Sequence, residues 1–214
     1  MFRYLFLTIL IMASVSVLFV FSYSAEIKDY QPINKNPEIT NNKLGKVLII
    51  YYSLSGNTRE IALRIKEKTN ADLYEIQTED EYPSSPMIYL TAKRQLNPKN
   101  YPKLKNDTLP DLNQYDLIFV GGPVWWYTVP SPLLSFFRDF DFKNKTVVSF
   151  ATHGGNYGKY FEDFEAKIKN AKVIRGKEFK KVLKTDKNIL DTKISDWLIG
   201  LTTEYHIQTD RNVK

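Results

Sequence analysis

A polar segment of six residues, Ser53–Thr58, carries the side chains best suited to bind a ligand. It reads Ser-Leu-Ser-Gly-Asn-Thr, with three hydroxyls, one amide and a glycine that permits close backbone approach. It follows a continuous apolar run, Val47–Tyr52, and precedes apolar residues at helical spacing. The first N–H groups of a helix have no internal partner and carry partial positive charge, which favours a bound anion. The segment therefore predicts a phosphate-binding loop. The competing interpretation is an ordinary helix cap, since Ser, Thr and Asn are common capping residues.

Composition excludes several other kinds of site. The loop lacks the Gly-Lys-Ser/Thr of a nucleotide-binding P-loop and the three spaced glycines of the dinucleotide fingerprint. The chain has no cysteine, which excludes cysteine-dependent phosphatases, disulfides, Fe–S clusters and thiolate metal sites. Its two histidines, His153 and His206, are too few for a multi-histidine metal site. The 30 Lys and Arg residues outnumber the 24 Asp and Glu residues, but they are scattered, which argues against a nucleic-acid-binding patch.

A second candidate loop, Gly121–Pro130, contains three adjacent aromatic residues, Trp125, Trp126 and Tyr127. Large aromatic side chains normally pack in the core, and we expect this of at least one of the three. A loop at a ligand-binding edge cannot bury them all, so another is available to stack on a planar ligand.

A third candidate loop, Thr152–Gly158, contains three glycines that expose backbone amides to a ligand. Tyr157 offers a second aromatic wall. His153 is either a hydrogen-bonded turn residue or a direct ligand contact.

Apolar runs that alternate with helical patterns place these loops at one edge of a sheet. The predicted strands are Val47–Tyr52, Leu73–Ile76, Leu117–Val120 (stopped by Gly121-Gly122-Pro123), Thr146–Phe150 and Lys172–Ile174. The predicted helices are Thr58–Lys68, Met87–Leu96, one starting near Pro132, Lys159–Asn170 and Ile189–Leu201. The alternation predicts an α/β fold, a doubly wound parallel sheet with helices on both faces. Ligands of such folds bind beyond the carboxyl ends of the strands, which is where the three loops lie.

Three pieces of the chain together resemble the flavodoxin family, of the short-chain type. They are Tyr-Ser-x-Ser-Gly-Asn-Thr at residues 52–58, Gly-Pro-x-Trp-Trp at 122–126 and Thr-His-Gly-Gly at 152–155. The resemblance extends from about Lys46 to Leu201. It implies a flavodoxin-like, five-stranded parallel sheet with the order 2-1-3-4-5 and a noncovalently bound FMN.

The resemblance also implies roles for individual residues. The first loop would hold the phosphate, Trp125 or Trp126 would flank the isoalloxazine, and the third loop would line its pyrimidine side or opposite face. The predicted FMN-binding residues are Ser53, Leu54, Ser55, Gly56, Asn57, Thr58, Pro123, Val124, Trp125, Trp126, Tyr127, Thr152, His153, Gly154, Gly155 and Tyr157.

Two features depart from the family pattern. Familiar flavodoxins are acidic and cytoplasmic, whereas this chain has a formal net charge of +6 and begins like an exported protein. Tyr127 stands where similar sequences often have glycine, so we expect the backbone beside the flavin to differ in flexibility.

The N-terminus is separate from the predicted fold. A cationic start, Met1–Arg3, an apolar run, Tyr4–Phe21, and small residues, Ser22–Ala25, form the layout of a signal peptide. The run also approaches the ~17–25 residues that span a bilayer, so an uncleaved membrane anchor is the alternative. We expect a signal peptide or anchor at 1–25, a polar linker at 26–45, the flavodoxin-like domain at 46–205 and a tail at 206–214.

These expectations lead to three candidate functions. The first is an FMN-binding electron carrier, located outside the cytoplasm, that meets a redox partner protein and contacts a membrane through its N-terminal segment. The second is an FMN-dependent NAD(P)H:quinone-type oxidoreductase on the same fold, which fits an exported protein less well because NAD(P)H is not expected there. The third is a non-redox FMN-binding or structural module of the cell envelope. We predict no catalytic residue, because the cofactor supplies the chemistry, and no metal or nucleic-acid site.

Overall fold

The computed structural model describes residues 44–105 and 110–211, with side chains as far as residue 202. The predicted signal peptide or anchor, the linker up to residue 43 and the last three residues of the predicted tail lie outside the described residues. Within the described ranges, no helix combines the length and apolar character needed to cross a bilayer.

Five parallel strands form one sheet with helices between them. The strands are β1 (Val47–Tyr51), β2 (Asp72–Glu75), β3 (Leu117–Pro123), β4 (Lys145–His153) and β5 (Ala171–Lys180). The helices are α1 (Asn57–Thr69), α2 (Met87–Arg94), α3 (Ser131–Asp139), α4 (Tyr160–Lys167) and α5 (Lys187–Arg211), with short 3₁₀ helices at Pro98–Asn100, Leu112–Gln114 and Val182–Lys184. The strand order is β2-β1-β3-β4-β5, and each neighbouring pair is parallel. The predicted fold class and strand order are therefore confirmed.

The sheet separates two apolar cores. Alternate residues of β1 point to opposite faces, so that Ile49 belongs to one core and Ile50 to the other. Side chains of α1 and α5, including Ile61 and Ile194, fill the first core. Side chains of α3 and α4 fill the second, with Phe137 and Phe164 in edge-to-face contact at 5.0 Å. Because both faces are covered, the central strands are continuous apolar runs, which is why they could be recognised.

Two central strands continue farther than predicted, and both extensions carry site residues. The predicted stop of the third strand at Gly121 is wrong, because β3 pairs with β4 as far as Pro123 opposite Thr152. The glycines keep the strand close to its neighbours: a Cβ on Gly121 would lie 2.3 Å from the Phe150 ring. Likewise β4 continues beyond the predicted end at Phe150 to His153.

The last strand and the last helix are also longer than predicted. β5 extends past Ile174 to Lys180, with an irregularity in its pairing with β4 between Val148 and Phe150. At this irregularity a Cβ on Gly176 would lie 1.8 Å from the carbonyl oxygen of Ser149, so only glycine fits there. α5 continues beyond the predicted end at Leu201 to Arg211, across the predicted start of the tail.

A buried arginine joins α1 to α5. The side chain of Arg64 is 1% exposed and pairs with Glu60 (Nη2–Oε1, 2.6 Å) and Asp191 (Nη1–Oδ1, 2.7 Å). It also donates to the carbonyl of Lys187 at the start of α5 (3.2 Å). These bonds outweigh the desolvation of the guanidinium, which on its own would lower the Arg64 pKa, and the pKa is raised.

We expect Arg64→Ala to lower the free energy of unfolding by about 3–5 kcal/mol, because it removes the buried cation that Glu60 and Asp191 share and leaves Asp191 with the more distant Lys68 ammonium (3.7 Å). Urea unfolding of the full-length chain measures the effect. The matched control is Arg138→Ala, since the Arg138–Asp139 pair is 50% and 62% exposed and should contribute at most ~1 kcal/mol. Equal losses in the two variants would contradict the assignment.

Candidate functional site

The three predicted loops meet around one cavity at the carboxyl edge of the sheet. The cavity has a volume of ≈ 600 Å³. The first loop contributes Leu54 and Ser55, the second contributes residues 124–127, and the third contributes residues 153–156. A fourth wall, not assigned from the sequence, comes from Ile88, Tyr89 and Ala92 of α2. The architecture therefore brings together most of the predicted site residues.

The first loop leads into α1 through a left-handed glycine. Gly56 is the N-cap residue, with φ 84°, and has no side chain with which to cap the helix. Ser53, three residues earlier, accepts from the backbone N–H of Arg59 (3.2 Å) and so acts partly as a cap. The amide of Asn57 donates to the Ser55 hydroxyl (3.0 Å) on the exposed side of the loop. Helix capping thus accounts for one of the three hydroxyls of the loop, that of Ser53. Ser55 lines the cavity instead.

The Thr58 hydroxyl does not lie at the exposed side of the loop. It is buried and forms a hydrogen bond with the hydroxyl of Thr152 (Oγ1–Oγ1, 2.8 Å). The carbonyl of Thr152 in turn accepts from the backbone N–H of Val124 (2.8 Å). Thr152 therefore links all three loops through buried contacts. In the described structure, the hydroxyls of Thr152 and Thr58 set the positions of the loops.

The cation nearest to the first loop in the sequence is engaged elsewhere. Arg59 pairs with Glu75 of β2 (Nη2–Oε1, 2.5 Å). Burial beside Glu75 raises the pKa of Tyr51 to about 12, and the Tyr51 hydroxyl donates to the same carboxylate (3.2 Å). An anion at this loop would therefore meet backbone N–H groups and hydroxyls at the positive end of α1.

The two tryptophans have different surroundings. Trp125 meets the rings of Tyr52 and Tyr82 edge to face, at centroid distances of 5.6 and 5.0 Å. The expectation that at least one aromatic packs against the core is confirmed for Trp125. Trp126 is 41% exposed, and its Nε1 donates to the carbonyl of Tyr89 (3.1 Å). The Trp126 ring is thus held against α2 at the wall of the cavity.

Trp126 and Tyr127 form a tight turn of an unusual kind. Their φ angles are 51° and 63°, and two backbone hydrogen bonds between Trp125 and Thr128 (3.1 Å each) close the turn. Positive φ at both central residues is the signature of a type I′ turn, which normally contains Asn or Gly. The Tyr127 carbonyl accepts from the N–H of Lys159 (2.8 Å), which fixes the turn against the third loop. Tyr127 itself is 64% exposed.

In the third loop, His153 is paired and buried. Its side chain is 5% exposed, and its Nε2 lies 2.6 Å from Oε2 of Glu178 on β5. No residue in the described part of the chain forms a hydrogen bond with its buried Nδ1. Glu178 was not among the predicted residues, because it lies on a strand that the sequence pattern ends at Ile174.

The remaining residues of the third loop differ in their relation to the cavity. Gly154 and Gly155 line it, and a Cβ added to either would meet no atom within 4 Å. Tyr157 does not line the cavity. Its ring packs on Phe161 at 5.6 Å, with the Arg175 guanidinium 6.0 Å above it.

The wall from α2 is anchored by partly buried polar contacts. The hydroxyl of Tyr82 donates to Oε1 of Gln95 (2.6 Å), which also accepts from Ser131 at the start of α3 (2.9 Å). Burial raises the pKa of Tyr82 to about 12, so this phenol remains a neutral donor. The spacing of Ile88, Tyr89 and Ala92 follows one face of a helix, a pattern from which this wall could have been inferred.

Comparisons with known proteins agree with this architecture. The family model described as flavodoxin matches residues 46–198. The chain belongs to the flavodoxin family. A flavoprotein from Lactobacillus acidophilus NCFM, solved in complex with FMN, is 26% identical and has a TM-score of 0.59, over 72% of this chain and 98% of that one. A putative flavoprotein from Bacteroides uniformis is 27% identical with a TM-score of 0.57, over 71% of this chain and 98% of the other. No curated protein sequence matches the chain significantly.

The residues of the site fit the cofactor of that Lactobacillus protein. A phosphate suits the start of α1, where Gly56 offers backbone and Ser55 a hydroxyl. A planar ring suits a cavity with an indole wall. A Cβ added to Gly154 or Gly155 would meet no protein atom within 4 Å, so the packing of the protein does not require glycine at either position. A ligand in close contact with this backbone would require it.

We expect Tyr127→Gly to raise the free energy of unfolding by about 0.5–1 kcal/mol. A left-handed conformation costs a non-glycine residue roughly 1–2 kcal/mol, of which the greater entropy of glycine in the unfolded chain offsets a part. Tyr127→Ala is the control, because it removes the ring but keeps the Cβ and its strain. Urea unfolding without cofactor gives the free energy of unfolding of each variant. An equal gain in Tyr127→Ala would show that the strain comes from the exposed ring and not from the backbone conformation.

Proposed function

We propose that this protein binds FMN in the cavity and serves as an electron-transfer flavoprotein. The observation that carries the proposal is the juxtaposition of a helix start, whose N-cap residue Gly56 has no side chain to cap it, with a cavity walled by the indole of Trp126. The first element suits a phosphate and the second a planar ring, and the two are held together through Thr152.

The protein's own groups would bind and orient the cofactor. The N–H groups at the start of α1 and the Ser55 hydroxyl would hold the phosphate, and Trp126 would stack on the ring. Leu54 and the α2 wall would exclude water from the ring faces. When bound, FMN supplies the redox chemistry.

An electron carrier needs no acid–base machinery beside the ring, and the lining of the cavity agrees with that. Among the described residues, those that line the cavity include one histidine and two tyrosines but no carboxylate or lysine. The histidine is already paired with Glu178. This favours the carrier over an enzyme that activates a substrate by proton transfer.

The phosphate-binding role of the first loop can be tested with Ser55→Asp. We expect FMN affinity to fall at least tenfold (~1.4 kcal/mol), because a carboxylate would repel the phosphate and replace a hydrogen bond to a charged group. Riboflavin, which has no phosphate, should bind as it does to the unaltered chain. Fluorescence titration of the apoprotein with each flavin provides both constants.

The matched control for this experiment is Gly155→Ala, at the opposite end of the site. Its Cβ would enter open space at the cavity, so it should weaken FMN and riboflavin by the same factor while leaving apoprotein stability within ~0.5 kcal/mol. Equal losses for both flavins in Ser55→Asp would mean that this loop does not hold the phosphate.

A second candidate, an FMN-dependent NAD(P)H:quinone-type oxidoreductase, is favoured by the apolar rim of the cavity. Leu54, Tyr89, Trp126 and Tyr127 are all more than 40% exposed and line it, as an apolar acceptor would require.

Steady-state oxidation of NADH and NADPH with a soluble quinone distinguishes the candidates. Rapid turnover by the unaltered chain, with a KM for the quinone that Tyr89→Ala raises, supports the enzyme. Reduction only through a partner reductase supports the carrier, and failure to undergo reduction by dithionite supports a non-redox module.

We also propose that the flavin domain works outside the cytoplasm, tethered or released. The proposal rests on the cationic start Met1–Arg3, the apolar run Tyr4–Phe21 and the polar stretch that follows. Its redox partner would then be a membrane-bound or exported protein. Fractionation of the host with an antibody against the domain tests this, and recovery of chains that retain Met1 in the soluble cytoplasm would refute it.

A further inference from the structure

The lysines around the opening of the cavity indicate what kind of surface meets this protein. We propose that five exposed lysines form a positive collar around the cavity, and that the collar docks an acidic surface of a redox partner protein. The proposal rests on the electron-transfer function proposed above and specifies the partner of that same site. The collar consists of Lys93, Lys159, Lys180, Lys181 and Lys184.

The excess of basic residues in the chain comes from one segment. Residues 167–187 hold nine of the 30 basic residues and two of the 24 acidic ones, so the other 193 residues hold 21 basic and 22 acidic residues. In the structure this segment runs from the end of α4 through β5, at the edge of the sheet, to the start of α5. The scatter of basic residues along the whole chain therefore conceals one concentration of positive charge.

The carboxyl end of β5 brings two lysines of this segment to the cavity. Lys180 pairs in register with His153, which lines the cavity. The backbone N–H of Lys181 donates to the carbonyl of the same histidine (2.8 Å). The positive charge of the segment therefore lies beside the third loop.

The short 3₁₀ helix after β5 lies against the first loop. The backbone N–H of Leu183 donates to Oδ1 of Asn57 (3.2 Å), and Lys184 is the next residue. The amide of Asn57 in turn donates to the hydroxyl of Ser55, which lines the cavity. Lys184 is thus joined to the cavity through two hydrogen bonds of its neighbours.

Two further lysines lie on other sides of the same opening. The backbone N–H of Lys159 donates to the carbonyl of Tyr127 (2.8 Å), and the ammonium of Lys93 lies 5.0 Å from the centre of the Trp126 ring. Tyr127 and Trp126 both line the cavity. The collar therefore receives cations from three separate parts of the chain.

The charges of the collar are not neutralised locally. All five lysines are exposed, and none of them forms a salt bridge with another residue that the structure describes. Two carboxylates of the basic segment are engaged nearby, Glu178 with His153 and Asp186 as acceptor from the N–H of Asn188 at the start of α5. A cleft surrounded by charge of one sign attracts ligands of the opposite sign and raises their association rate by about 10–10³-fold.

The occupant of the collar must exchange electrons, which decides between two kinds of anionic surface. An anionic bilayer would be attracted to the same lysines, but its headgroups neither give nor accept electrons. An acidic protein with its own redox group does both. Tyr89, Trp126 and Tyr127 are exposed and line the cavity that the collar surrounds, and aromatic residues enclosed by a polar rim are typical of protein interfaces.

Two small oxidants of opposite charge measure the potential at the opening. Ferricyanide, a trianion, takes one electron and becomes ferrocyanide, so one dithionite-reduced FMN consumes two, and the hydrogens that reduction added to the ring leave as protons to water. Hexaammineruthenium(III), a trication, takes one electron in the same way. We expect the rate constant for ferricyanide to fall and that for hexaammineruthenium to rise between ~0.01 and ~1 M salt, because the Debye length shortens from ~30 to ~3 Å. The opposite pair of slopes would overturn the proposal.

The collar itself is tested by the triple variant Lys159→Glu/Lys180→Glu/Lys184→Glu. At ~0.01 M salt it should oxidise at least tenfold more slowly with ferricyanide and faster with hexaammineruthenium, and ~1 M salt should abolish both effects. The same triple change to glutamine removes the charge without reversing it and should slow ferricyanide by a smaller factor. FMN absorption of each variant checks that it is folded and loaded.

The matched control places three equal charge reversals at the other edge of the sheet. Lys66 near the end of α1, Lys167 at the end of α4 and Lys172 at the start of β5 are exposed. Lys66→Glu/Lys167→Glu/Lys172→Glu has the same net charge as the collar variant, and its rate constants should stay within about twofold of those of the unaltered chain. Equal slowing in the two triple variants would overturn the collar, since net charge alone would then account for the rates.

Binding of an acidic polypeptide provides a readout that needs no flavin. Fluorescence anisotropy of labelled polyglutamate should show binding to the apoprotein and to the control variant, and at least tenfold weaker binding to the collar variant at low salt. If phosphatidylglycerol vesicles slow ferricyanide reduction and polyglutamate does not, the collar fits a bilayer and the proposal is wrong. A chain that binds no FMN, or whose FMN dithionite does not reduce, would refute the proposed function, while the polyglutamate result would still decide whether the collar docks an acidic surface.

Discussion

The buried hydrogen bond between the hydroxyls of Thr58 and Thr152 holds the site together. It joins the first turn of α1 to the end of β4, and the carbonyl of Thr152 extends the link to the loop after β3. Three segments distant in sequence are thereby held in fixed relation at one edge of the sheet. Both side chains are excluded from water, where loss of either partner would leave an unsatisfied polar atom. The separation between the two ends of the cavity therefore depends on a buried contact whose residues do not line the cavity.

The sequence permitted prediction of those parts of the fold that bury apolar residues on both faces. Val47–Tyr51 is wholly buried, so its run of apolar residues could be recognised directly. β5 lies at the sheet edge and carries Arg175, Lys177 and Glu178, which interrupt any apolar pattern. Its continuation depends on pairing with β4 and on a glycine that accommodates the carbonyl of Ser149. Such pairing is a property of the assembled sheet and leaves no local pattern in the sequence.

The same distinction applies to the site. The three loops could be predicted because strand ends and helix starts determine where ligands bind in this architecture. Which of the two tryptophans packs against the core and which is more exposed could not be predicted, because Trp125 is held by Tyr52 and Tyr82 from other segments. Glu178 could not be predicted for the same reason. The φ of 63° at Tyr127 lies in the left-handed region that favours glycine, a strain that the sequence alone does not reveal.

The attachment of α2 to the loop after β3 has a consequence for exchange of the ligand. The side-chain contacts of Trp126 with α2 are one hydrogen bond to the Tyr89 carbonyl and the Lys93 ammonium 5.0 Å above its ring, both at exposed positions. Exposed contacts of this kind contribute little individually. Separating them would widen the cavity on the side of α2, while both cores and the Thr58–Thr152 bond remain intact. Local separation of Trp126 from α2 therefore costs far less than unfolding of the sheet.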